Sequence, residues 1–469
     1  MRLRCSYQRR SVLCLVLIGV LTSSLVTSAQ RRGEPLQPKR PRLVLLIVVD
    51  QFRYDYLERF GDLFGPNGLR RLQRDGASWA NANYDHFPTY TAPGHSSMMT
   101  GAFPAESGII GNEWIDRVSG RRISSVSDDN EKILGSGDPK EVAASPRKLL
   151  SSTVGDELRL ITNDRSKVIG ISAKDRSAIL PAGRHANAAY WLSNTGTMAS
   201  STYYFNQLPA WVAEFNSTKP ADKYFGAKWE RLLSESEYVK RAGPDSTPSE
   251  KVTASGDTNS FPHTITGGAK EPNLAFYTHL DHSPFSNEVL LQFARSAIAS
   301  EQLGQDDDTD VLTISFSAND YVGHRYGPYS HEAMDAVLRV DGQIAKLLDF
   351  VHEQVGLANT LVAFTADHGV SPIPELAADL GLGGARVKAS DILAAVRTAL
   401  AAHYNPEGLK PDPTADYILK YNNWGVETDA YINGNIYFNY AALDRDNVDL
   451  SEISRVVAAA TLKITGVAR

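Results

Sequence analysis

The sequence predicts an α/β fold with a doubly wound, mostly parallel sheet and an inserted cap region. Three apolar runs have the length and composition of buried parallel strands, at Leu43 to Val49, Val311 to Phe316 and Thr360 to Phe364. Between the last two, Ser330 can cap a helix whose apolar residues recur with a 3.6-residue period and which ends near Gly356. A helix that connects two buried strands is the repeating unit of a doubly wound sheet.

The composition is that of a globular protein. The chain has 469 residues, of which 42% are hydrophobic and 22% charged, which is enough for a large core and more than one minimal domain needs. Its formal net charge of −6 gives no basic excess, so nucleic acid is not expected as the primary partner.

The first 29 residues are predicted to be a signal peptide. Val12 to Val26 is an apolar stretch, and Thr27, Ser28 and Ala29 supply the small residues of a cleavage site. A basic region precedes the apolar stretch and contains Arg2, Arg4, Arg9 and Arg10. The stretch is short for a membrane span, so we expect a periplasmic or secreted protein without a membrane anchor after cleavage, with an uncleaved anchor as the alternative.

Both cysteines, Cys5 and Cys14, fall within this signal peptide. The mature chain would therefore contain no thiol, which excludes disulfides and cysteine-ligated zinc sites. Any metal ion would have to be bound by carboxylates and imidazoles.

After a proline-containing linker at residues 30–42, the core is predicted in two parts, residues 43–184 and 311–469. The cap region is predicted at residues 185–310, where a group of aromatic residues is followed by a polar stretch from Arg241 to Pro272. These aromatic side chains could form the core of the cap or a platform for substrate.

Candidate metal ligands follow all three predicted strands. Asp50 follows the first strand, Asp320 and His324 follow the second, and Asp367 and His368 follow the third. Ligands of open α/β sheets gather at the carboxyl ends of the strands, and Asp and His side chains bind zinc and similar divalent cations. The sequence therefore predicts a metallohydrolase.

A hydroxyl nucleophile is predicted near these ligands. Thr91 lies at the start of a predicted helix that runs through Ser96 to Thr100, with Pro93 in its first turn. The N–H groups and the dipole at the start of a helix favour an anion such as phosphate. The alternative is that Thr91 only caps the helix. Other hydroxyls in this segment belong to Thr89, Ser96 and Ser97.

Three short motifs occur in this part of the chain: Thr91-Ala-Pro-Gly-His95, Thr100-Gly101 and Ser107-Gly-Ile-Ile-Gly-Asn112. In sequence and spacing they resemble the nucleophile region of the alkaline phosphatase superfamily. The resemblance is to the branch shared by nucleotide pyrophosphatase/phosphodiesterases and phosphate-irrepressible alkaline phosphatases, and it extends over most of the chain from Leu43 onward. It implies an alkaline phosphatase-like fold, a phosphorylated Thr91, and an Asn112 side chain that holds a phosphate oxygen.

The resemblance also implies two zinc sites. One would use Asp50, Asp367 and His368, with the Thr91 oxygen completing the coordination. The other would use Asp320 and His324 with a histidine much nearer the C-terminus.

The chain departs from the family at this last ligand. The only later histidine is His403, which lies in the helical run Asp391 to His403 and does not resemble the missing ligand. We therefore expect one zinc site to be incomplete and the chain to be truncated at its C-terminus.

A further motif favours one branch of the family. Ser172-Ala-Lys174-Asp-Arg176 follows the strand-like Val168 to Ile171 and resembles the segment in which phosphate-irrepressible alkaline phosphatases present a lysine and an arginine to the substrate. Two cations can neutralise the doubly charged end of a phosphate monoester, whereas a diester carries one charge fewer. Without the resemblance, these residues would be read as surface charges beside a strand.

The sequence thus predicts hydrolysis of phosphate monoesters through a covalent phosphothreonine, with release of inorganic phosphate and an alcohol. The expected partners are small-molecule phosphate esters. The alternatives are a phosphodiesterase or nucleotide pyrophosphatase, and an inactive protein that binds metal and phosphate. The physiological ester and the oligomeric state are not predicted.

Overall fold

The computed structural model describes residues 40–246, 258–423 and 426–467. The predicted signal peptide and nearly all of the predicted linker lie outside these ranges. Residues Arg42–Arg469 form one compact unit. Among the residues described, no helix is both long and apolar enough to cross a bilayer.

Strands and helices alternate along most of this unit. The strands are β1 (Leu43–Val49), β2 (Glu113–Ile115), β3 (Arg122–Ser124), β4 (Ile133–Leu134), β5 (Val168–Ser172), β6 (Ala188–Leu192), β7 (Met198–Ser201), β8 (Lys228–Trp229), β9 (His263–Thr264), β10 (Asp310–Phe316), β11 (Thr360–Thr365), β12 (Lys420–Asn423), β13 (Val426–Asp429), β14 (Tyr431–Ile432) and β15 (Asn435–Ile436). The helices are α1 (Asp55–Arg59), α2 (Leu69–Asp75), α3 (Thr91–Thr100), α4 (Pro104–Ser107), α5 (Val154–Ile161), α6 (Asp175–Ala182), α7 (Ala210–Ser217), α8 (Glu235–Ala242), α9 (Leu274–Asp281), α10 (Phe285–Ser300), α11 (Ala318–Tyr326), α12 (His331–Gln354), α13 (Pro374–Asp379), α14 (Ala389–Tyr404), α15 (Tyr440–Arg445) and α16 (Leu450–Thr461).

The largest sheet has seven strands in the order β11-β1-β10-β5-β6-β7-β4. The first five strands are mutually parallel, and β7 and β4 are added in antiparallel pairs. Parallel neighbours require crossover connections, which helices provide here. The prediction of a doubly wound, mostly parallel sheet is confirmed.

Helices cover both faces of this sheet. Along β1, Leu45 and Ile47 belong to the main apolar core, whereas Leu46 and Val48 belong to a second cluster on the opposite face. Because both faces are buried, the strand is apolar at every position instead of alternating. This continuous apolar run is what made the strand recognisable in the sequence.

The predicted helix between the last two parallel strands is α12. Ser330 Oγ accepts a hydrogen bond from Ala333 N at 3.0 Å, as expected for an N-cap, and Gly356 follows the helix with φ +85°. The side of the helix that faces the core includes Met334, Val337, Leu338, Ile344, Leu347, Leu348 and Val351.

The range predicted as an inserted cap contributes to the main sheet as well. Strands β6 and β7 are part of that sheet, and α10 packs against the same apolar core. Tyr190 and Trp229 are fully buried, which favours a core role for the aromatic group over a substrate platform. The division of the chain into core parts and cap remains a proposal.

Buried polar contacts connect α12 to residues 229–245. Trp229 Nε1 and Tyr238 OH both donate to the carboxylate of Asp335, at 2.6 and 2.5 Å. His331 Nε2 donates to the Gly243 carbonyl at 2.8 Å, and His331 Nδ1 lies 3.0 Å from Asp245 Oδ1.

We expect His331→Gln to lower the melting temperature more at about pH 6 than at about pH 9. Burial lowers the pKa of His331, but hydrogen bonds to Asp245 and Gly243 outweigh it and raise the pKa above 6.5. The stabilisation by the charged ring is fully present below the unfolded-state pKa and is lost as the pH rises through the raised folded-state pKa. A buried hydrogen bond to a charged group contributes about 1.5–3 kcal/mol.

Thermal unfolding of the wild type and the variant at both pH values measures this effect. Equal decreases in melting temperature at the two pH values would contradict a charged His331.

The C-terminal elements form a separate apolar cluster. Residues of α14, α15 and α16 pack together, among them Val396, Leu400, Leu443 and Ile453. His403, near the end of α14, donates a hydrogen bond from Nε2 to Glu452 Oε1 of α16 at 3.0 Å.

Candidate active site

The predicted site residues meet at the carboxyl ends of four neighbouring strands, β11, β1, β10 and β5. Asp50 directly follows β1, Lys174 follows β5, and Asp320 lies in the first turn of α11, which follows β10. Asp367 and His368 follow β11. Parallel strands end at the same edge of a sheet, so residues that are distant in sequence become neighbours there.

Asp50, Asp320 and His368 form a buried cluster that could hold a metal ion. One ligand atom of each residue lies within 4.8 Å of the others. His368 Nε2 is 3.4 Å from Asp50 Oδ1 and 4.0 Å from Asp320 Oδ1. The resemblance had assigned Asp320 to a different site from Asp50 and His368, so the structure brings ligands of both predicted sites together.

Two carboxylate oxygens in this region fit a bound cation. Asp50 Oδ1 and Asp367 Oδ2 are buried and accept no well-aligned hydrogen bond from the residues that the structure describes, although His368 Nε2 lies 3.4 Å from the first and His95 Nδ1 lies 3.1 Å from the second. Such oxygens are unfavourable unless a donor or a cation neutralises them. The set of carboxylate and imidazole donors is one that zinc and similar divalent ions bind. The residues present therefore fit a metal ion.

Lys174 lies within the same cluster. Its Nζ donates to Asp50 Oδ2 at 2.7 Å and to Asp320 Oδ2 at 2.5 Å. Burial lowers the pKa of Lys174, but the carboxylates of Asp320 and Asp50 outweigh it and raise the pKa above its ordinary value. The ammonium group of Lys174 therefore stays charged, which shows that the carboxylates of this cluster stabilise a positive charge.

The orientation of His368 suits a metal ligand. Its Nδ1 donates to the Gly369 carbonyl at 2.8 Å, which leaves Nε2 facing the carboxylates. Burial lowers the pKa of His368, but Asp367 and Asp50 outweigh it and raise the pKa to about 10. A metal ion would displace the Nε2 proton on binding.

Thr91 is the first residue of α3, and its hydroxyl lies 3.5 Å from His368 Nε2. Two of the other candidate hydroxyls, those of Ser96 and Thr89, are placed differently. Ser96 Oγ donates to the Pro93 carbonyl within its own helix, and Thr89 is exposed. Of these three hydroxyls, the one of Thr91 lies at the metal-ligand cluster.

The side chain of Asn112 reaches the start of α3, beside Thr91. Its Oδ1 accepts a hydrogen bond from the backbone N–H of Ala92 at 2.8 Å. This contact fixes the side chain beside Thr91 and leaves the Nδ2 group to donate to an anion bound at the helix start.

Arg176 lies in the first turn of α6, two residues after Lys174. Its Nε is buried and has no hydrogen-bond partner among the described residues, and its closest ion-pair contact is Asp175 Oδ1 at 3.7 Å. The ring of Tyr321 lies 4.9 Å from Lys174 Nζ. A partly exposed guanidinium whose buried Nε–H group is unused can bind an anion.

His324 is placed less centrally than predicted from the sequence. Its Nε2 lies 3.1 Å from Asp320 Oδ1, as the four-residue spacing predicts, but its side chain is 68% exposed. It lies at the rim of the buried cluster.

Two buried residues that were not predicted as site residues, His95 and Gln51, contact the candidate site directly. His95 Nδ1 faces the Thr91 carbonyl at 2.9 Å and Asp367 Oδ2 at 3.1 Å, and its Nε2 pairs with Ser315 Oγ at 2.9 Å. His95 was visible as part of the Thr91 motif. Gln51 contacts Asp320 and Asp367, and its only sequence signal is that it follows Asp50.

The type I phosphodiesterase/nucleotide pyrophosphatase family matches residues 44–381, a range that includes every site residue described above. The chain belongs to this family. The resemblance seen in the sequence is thereby confirmed.

Three relatives of the family are similar over most of this chain. Alkaline phosphatase PhoV of Synechococcus elongatus is 42% identical over 371 residues, which is 77% of this chain and 66% of PhoV. Alkaline phosphatase PafA of Elizabethkingia meningoseptica is 38% identical over 356 residues, 76% of this chain and 64% of PafA. A protein named calcium-transporting ATPase of Myroides odoratus is 36% identical over 434 residues, 92% of this chain and 75% of that protein. The chain thus spans about two thirds of the length of the two alkaline phosphatases.

The crystal structure of wild-type PafA superimposes with a TM-score of 0.81 at 33% identity and covers 91% of this chain and 77% of PafA. The fold is therefore alkaline phosphatase-like, as the resemblance implied. A second PafA structure carries four substitutions, at a threonine, an asparagine, a lysine and an arginine, and it matches this chain with a TM-score of 0.80.

Proposed function

We propose that the protein is a metal-dependent phosphatase that hydrolyses phosphate monoesters through a covalent intermediate on Thr91. The observation that carries this proposal is the convergence of the Thr91 hydroxyl, a buried cluster of metal-binding side chains, and Lys174 at one edge of the sheet. Its similarity to two alkaline phosphatases, PhoV and PafA, supports the same chemistry.

The metal is proposed to be zinc. Asp50, Asp367 and His368 would hold one ion, and Asp320 and His324 would contribute to a second site. Bound divalent cations lower the pKa of an attacking hydroxyl or water and stabilise negative charge on the phosphate. Carboxylate and imidazole ligands also bind other divalent ions, and direct metal analysis of the purified protein would distinguish these from zinc.

The proposed reaction has two steps. Thr91 Oγ1 forms a bond to phosphorus while the bond from phosphorus to the alcohol oxygen breaks, and the alcohol leaves with a proton. Water then attacks the phosphothreonine, which releases inorganic phosphate and restores the Thr91 hydroxyl. Asn112 and the start of α3 would hold the non-bridging oxygens through both steps.

Lys174 and Arg176 are proposed to bind the doubly charged end of a monoester. The buried Nε of Arg176, which has no hydrogen-bond partner in the described part of the chain, supports this role. The four substitutions in the second PafA structure also support it, because they affect the same four residue types, in the same order and at the same intervals, as Thr91, Asn112, Lys174 and Arg176. A diester offers one charge fewer, so the pair would favour monoesters over diesters.

We expect Arg176→Ala to lower kcat/KM for an aryl phosphate monoester by about 10²-fold, because truncating one partner of a buried charged contact typically costs about 2–5 kcal/mol. For the matching diester, the decrease should be less than about tenfold. Arg176→Lys should fall between wild type and alanine for the monoester, because lysine keeps the charge but loses the planar pair of donors.

Arg165→Ala is the matched control, since the Arg165 guanidinium pairs with Asp308 on the surface. Steady-state kinetics on both substrates separate the outcomes. Equal decreases for monoester and diester in Arg176→Ala would contradict the proposed preference.

The proposed function is tested by assaying the purified chain on an aryl monoester, the matching aryl diester and ATP, with and without added zinc. Zinc-dependent monoester turnover that exceeds diester turnover supports a phosphomonoesterase. Faster diester turnover would support a phosphodiesterase or nucleotide pyrophosphatase instead. ATP is included because its terminal phosphate carries a similar charge and because one relative is named an ATPase.

We also propose that the protein is exported to the periplasm or outside the cell. The N-terminal basic, apolar and small-residue pattern supports this location. Fractionation of cells, with N-terminal sequencing of the mature chain, would show whether cleavage occurs near Ala29.

A further inference from the structure

Gln51 contacts a metal-binding carboxylate with its side chain and another with its backbone. Its Nε2 donates to Asp320 Oδ1 at 2.7 Å, and its backbone N–H donates to Asp367 Oδ1 at 3.1 Å. Gln51 is 3% exposed and directly follows Asp50. It therefore touches residues assigned to both proposed metal sites.

Gln51 contacts the Oδ1 atom of each of the two carboxylates, so the surroundings of their Oδ2 atoms can be compared. Asp367 Oδ1 accepts from the backbone N–H groups of Gln51 and His368, at 3.1 and 2.9 Å, whereas Asp367 Oδ2 has no well-aligned hydrogen bond among the described residues and lies 3.1 Å from His95 Nδ1. Asp320 Oδ1 accepts from Gln51, whereas Asp320 Oδ2 faces the ammonium of Lys174. In Asp367, the Oδ2 atom remains for a metal ion. In Asp320, the Oδ1 atom that Gln51 contacts also lies 3.1 Å from His324 Nε2 and 4.0 Å from His368 Nε2, so Gln51 holds the oxygen beside these candidate ligands.

The backbone of Gln51 adopts an unfavourable conformation to make these contacts. Its φ is +62°, in the left-handed region that side chains other than glycine, asparagine and aspartate rarely adopt. The Gln51 side chain occupies space that is open because residue 323 of α11 is a glycine. A Cβ atom at Gly323 would lie 2.1 Å from Gln51 Oε1. Strain of this kind persists where the neighbouring contacts enforce it, often at functional sites.

We propose that Gln51 is a positioning residue that fixes which oxygens of Asp320 and Asp367 face the metal ions, and so sets the relative placement of the two metal sites. This inference rests on the proposed metal centre. Hydrogen-bonded partners of metal ligands orient those ligands and raise metal affinity. A single residue thereby orients two carboxylates, one in α11 after β10 and one that follows β11.

Two variants test the side-chain contact. Gln51→Met keeps the length of the side chain but removes the amide. Gln51→Gly removes the side chain, keeps the backbone N–H that binds Asp367, and relieves the left-handed strain. We expect both variants to bind zinc about 10–100-fold more weakly than the wild type. The glycine variant should not lose thermal stability, so its weaker binding cannot be attributed to partial unfolding.

Gln343→Met is the matched control. Gln343 is a buried glutamine of α12 whose Nε2 donates to the Pro284 carbonyl at 3.2 Å and to Glu288 Oε1 at 3.1 Å, outside the metal-ligand cluster. The same substitution there removes a buried amide without touching Asp320 or Asp367. Zinc affinity should be unchanged in this control.

The measurement is zinc competition with a chromogenic chelator on metal-free protein, together with the visible spectrum of the cobalt-loaded form and the melting temperature of each variant. Weaker zinc binding in both Gln51 variants, an altered cobalt spectrum and a normal control support the inference. Unchanged zinc affinity in both variants, or an equal loss in Gln343→Met, would overturn it while leaving the proposed metal centre intact. If the wild type itself binds no divalent metal, the proposed metal centre fails together with the inference.

Discussion

Replacing Thr91 by alanine should lower the hydrolysis of an aryl phosphate monoester by about 10⁴-fold or more. The hydroxyl of Thr91 lies 3.5 Å from His368 Nε2 at the start of α3, where the metal-binding residues and the helix start converge. Without this hydroxyl the covalent step is impossible, and only slow direct attack by water remains. Steady-state rates of purified wild type and variant, each with its zinc content measured, give the result.

Two further variants separate the nucleophile from its neighbours. Thr91→Ser retains a hydroxyl and should retain a substantial part of the turnover. Ser96→Ala removes a neighbouring buried hydroxyl that bonds within its own helix, and it should leave turnover nearly unchanged. If Thr91→Ala remained active and Ser96→Ala did not, Thr91 would not be the nucleophile.

Removing the metal should have the second largest effect. Dialysis against a chelator should lower monoester turnover by at least about 10³-fold, because bound cations activate the nucleophile and stabilise the charged phosphate. Added zinc should restore turnover. Asp50→Asn should reproduce the loss and resist rescue by zinc, because Asp50 belongs to the buried triad with Asp320 and His368.

Asp341→Asn is the matched control for this variant. Asp341 is also a buried aspartate, but its carboxylate accepts hydrogen bonds from the backbone N–H groups of Gly65 and Leu69, away from the triad. It should remain active with zinc. Full turnover after exhaustive removal of divalent metal would contradict a metal-dependent mechanism.

The parallel core of the fold could be predicted from the sequence because β1 and β10 are buried on both faces, and because β11, although half-exposed at the edge of the sheet, is still a mostly apolar run. The strand Leu43–Val49 was predicted with its observed limits, and the other two predicted strands differ by one residue at one end. The limits of the cap were harder to predict. The apolar strand Ala188–Leu192 reads equally well as part of a cap or as part of the main sheet, and only its pairing with Val168–Ser172 places it in the sheet.

The candidate site could be predicted only as a set of residues. Asp50, Asp320 and His368 were recognisable because each follows a predicted strand, and the structure places them in one cluster. The contact of Lys174 with two carboxylates depends on how β5 lies relative to β1 and β10, which the local sequence does not specify. The role of Gln51 depends on a left-handed backbone that no residue pattern around it predicts.

The proposed covalent intermediate on Thr91 is tested most directly by trapping it. The zinc-loaded protein is mixed with excess aryl phosphate monoester, quenched in acid during turnover, digested and examined by mass spectrometry. We predict one added phosphoryl group on Thr91, in the peptide that contains Thr91-Ala-Pro-Gly-His95, and none in a parallel sample without substrate. Rapid turnover with no phosphorylated peptide, or with the phosphoryl group on Ser96 or Ser97, would contradict Thr91 as the nucleophile.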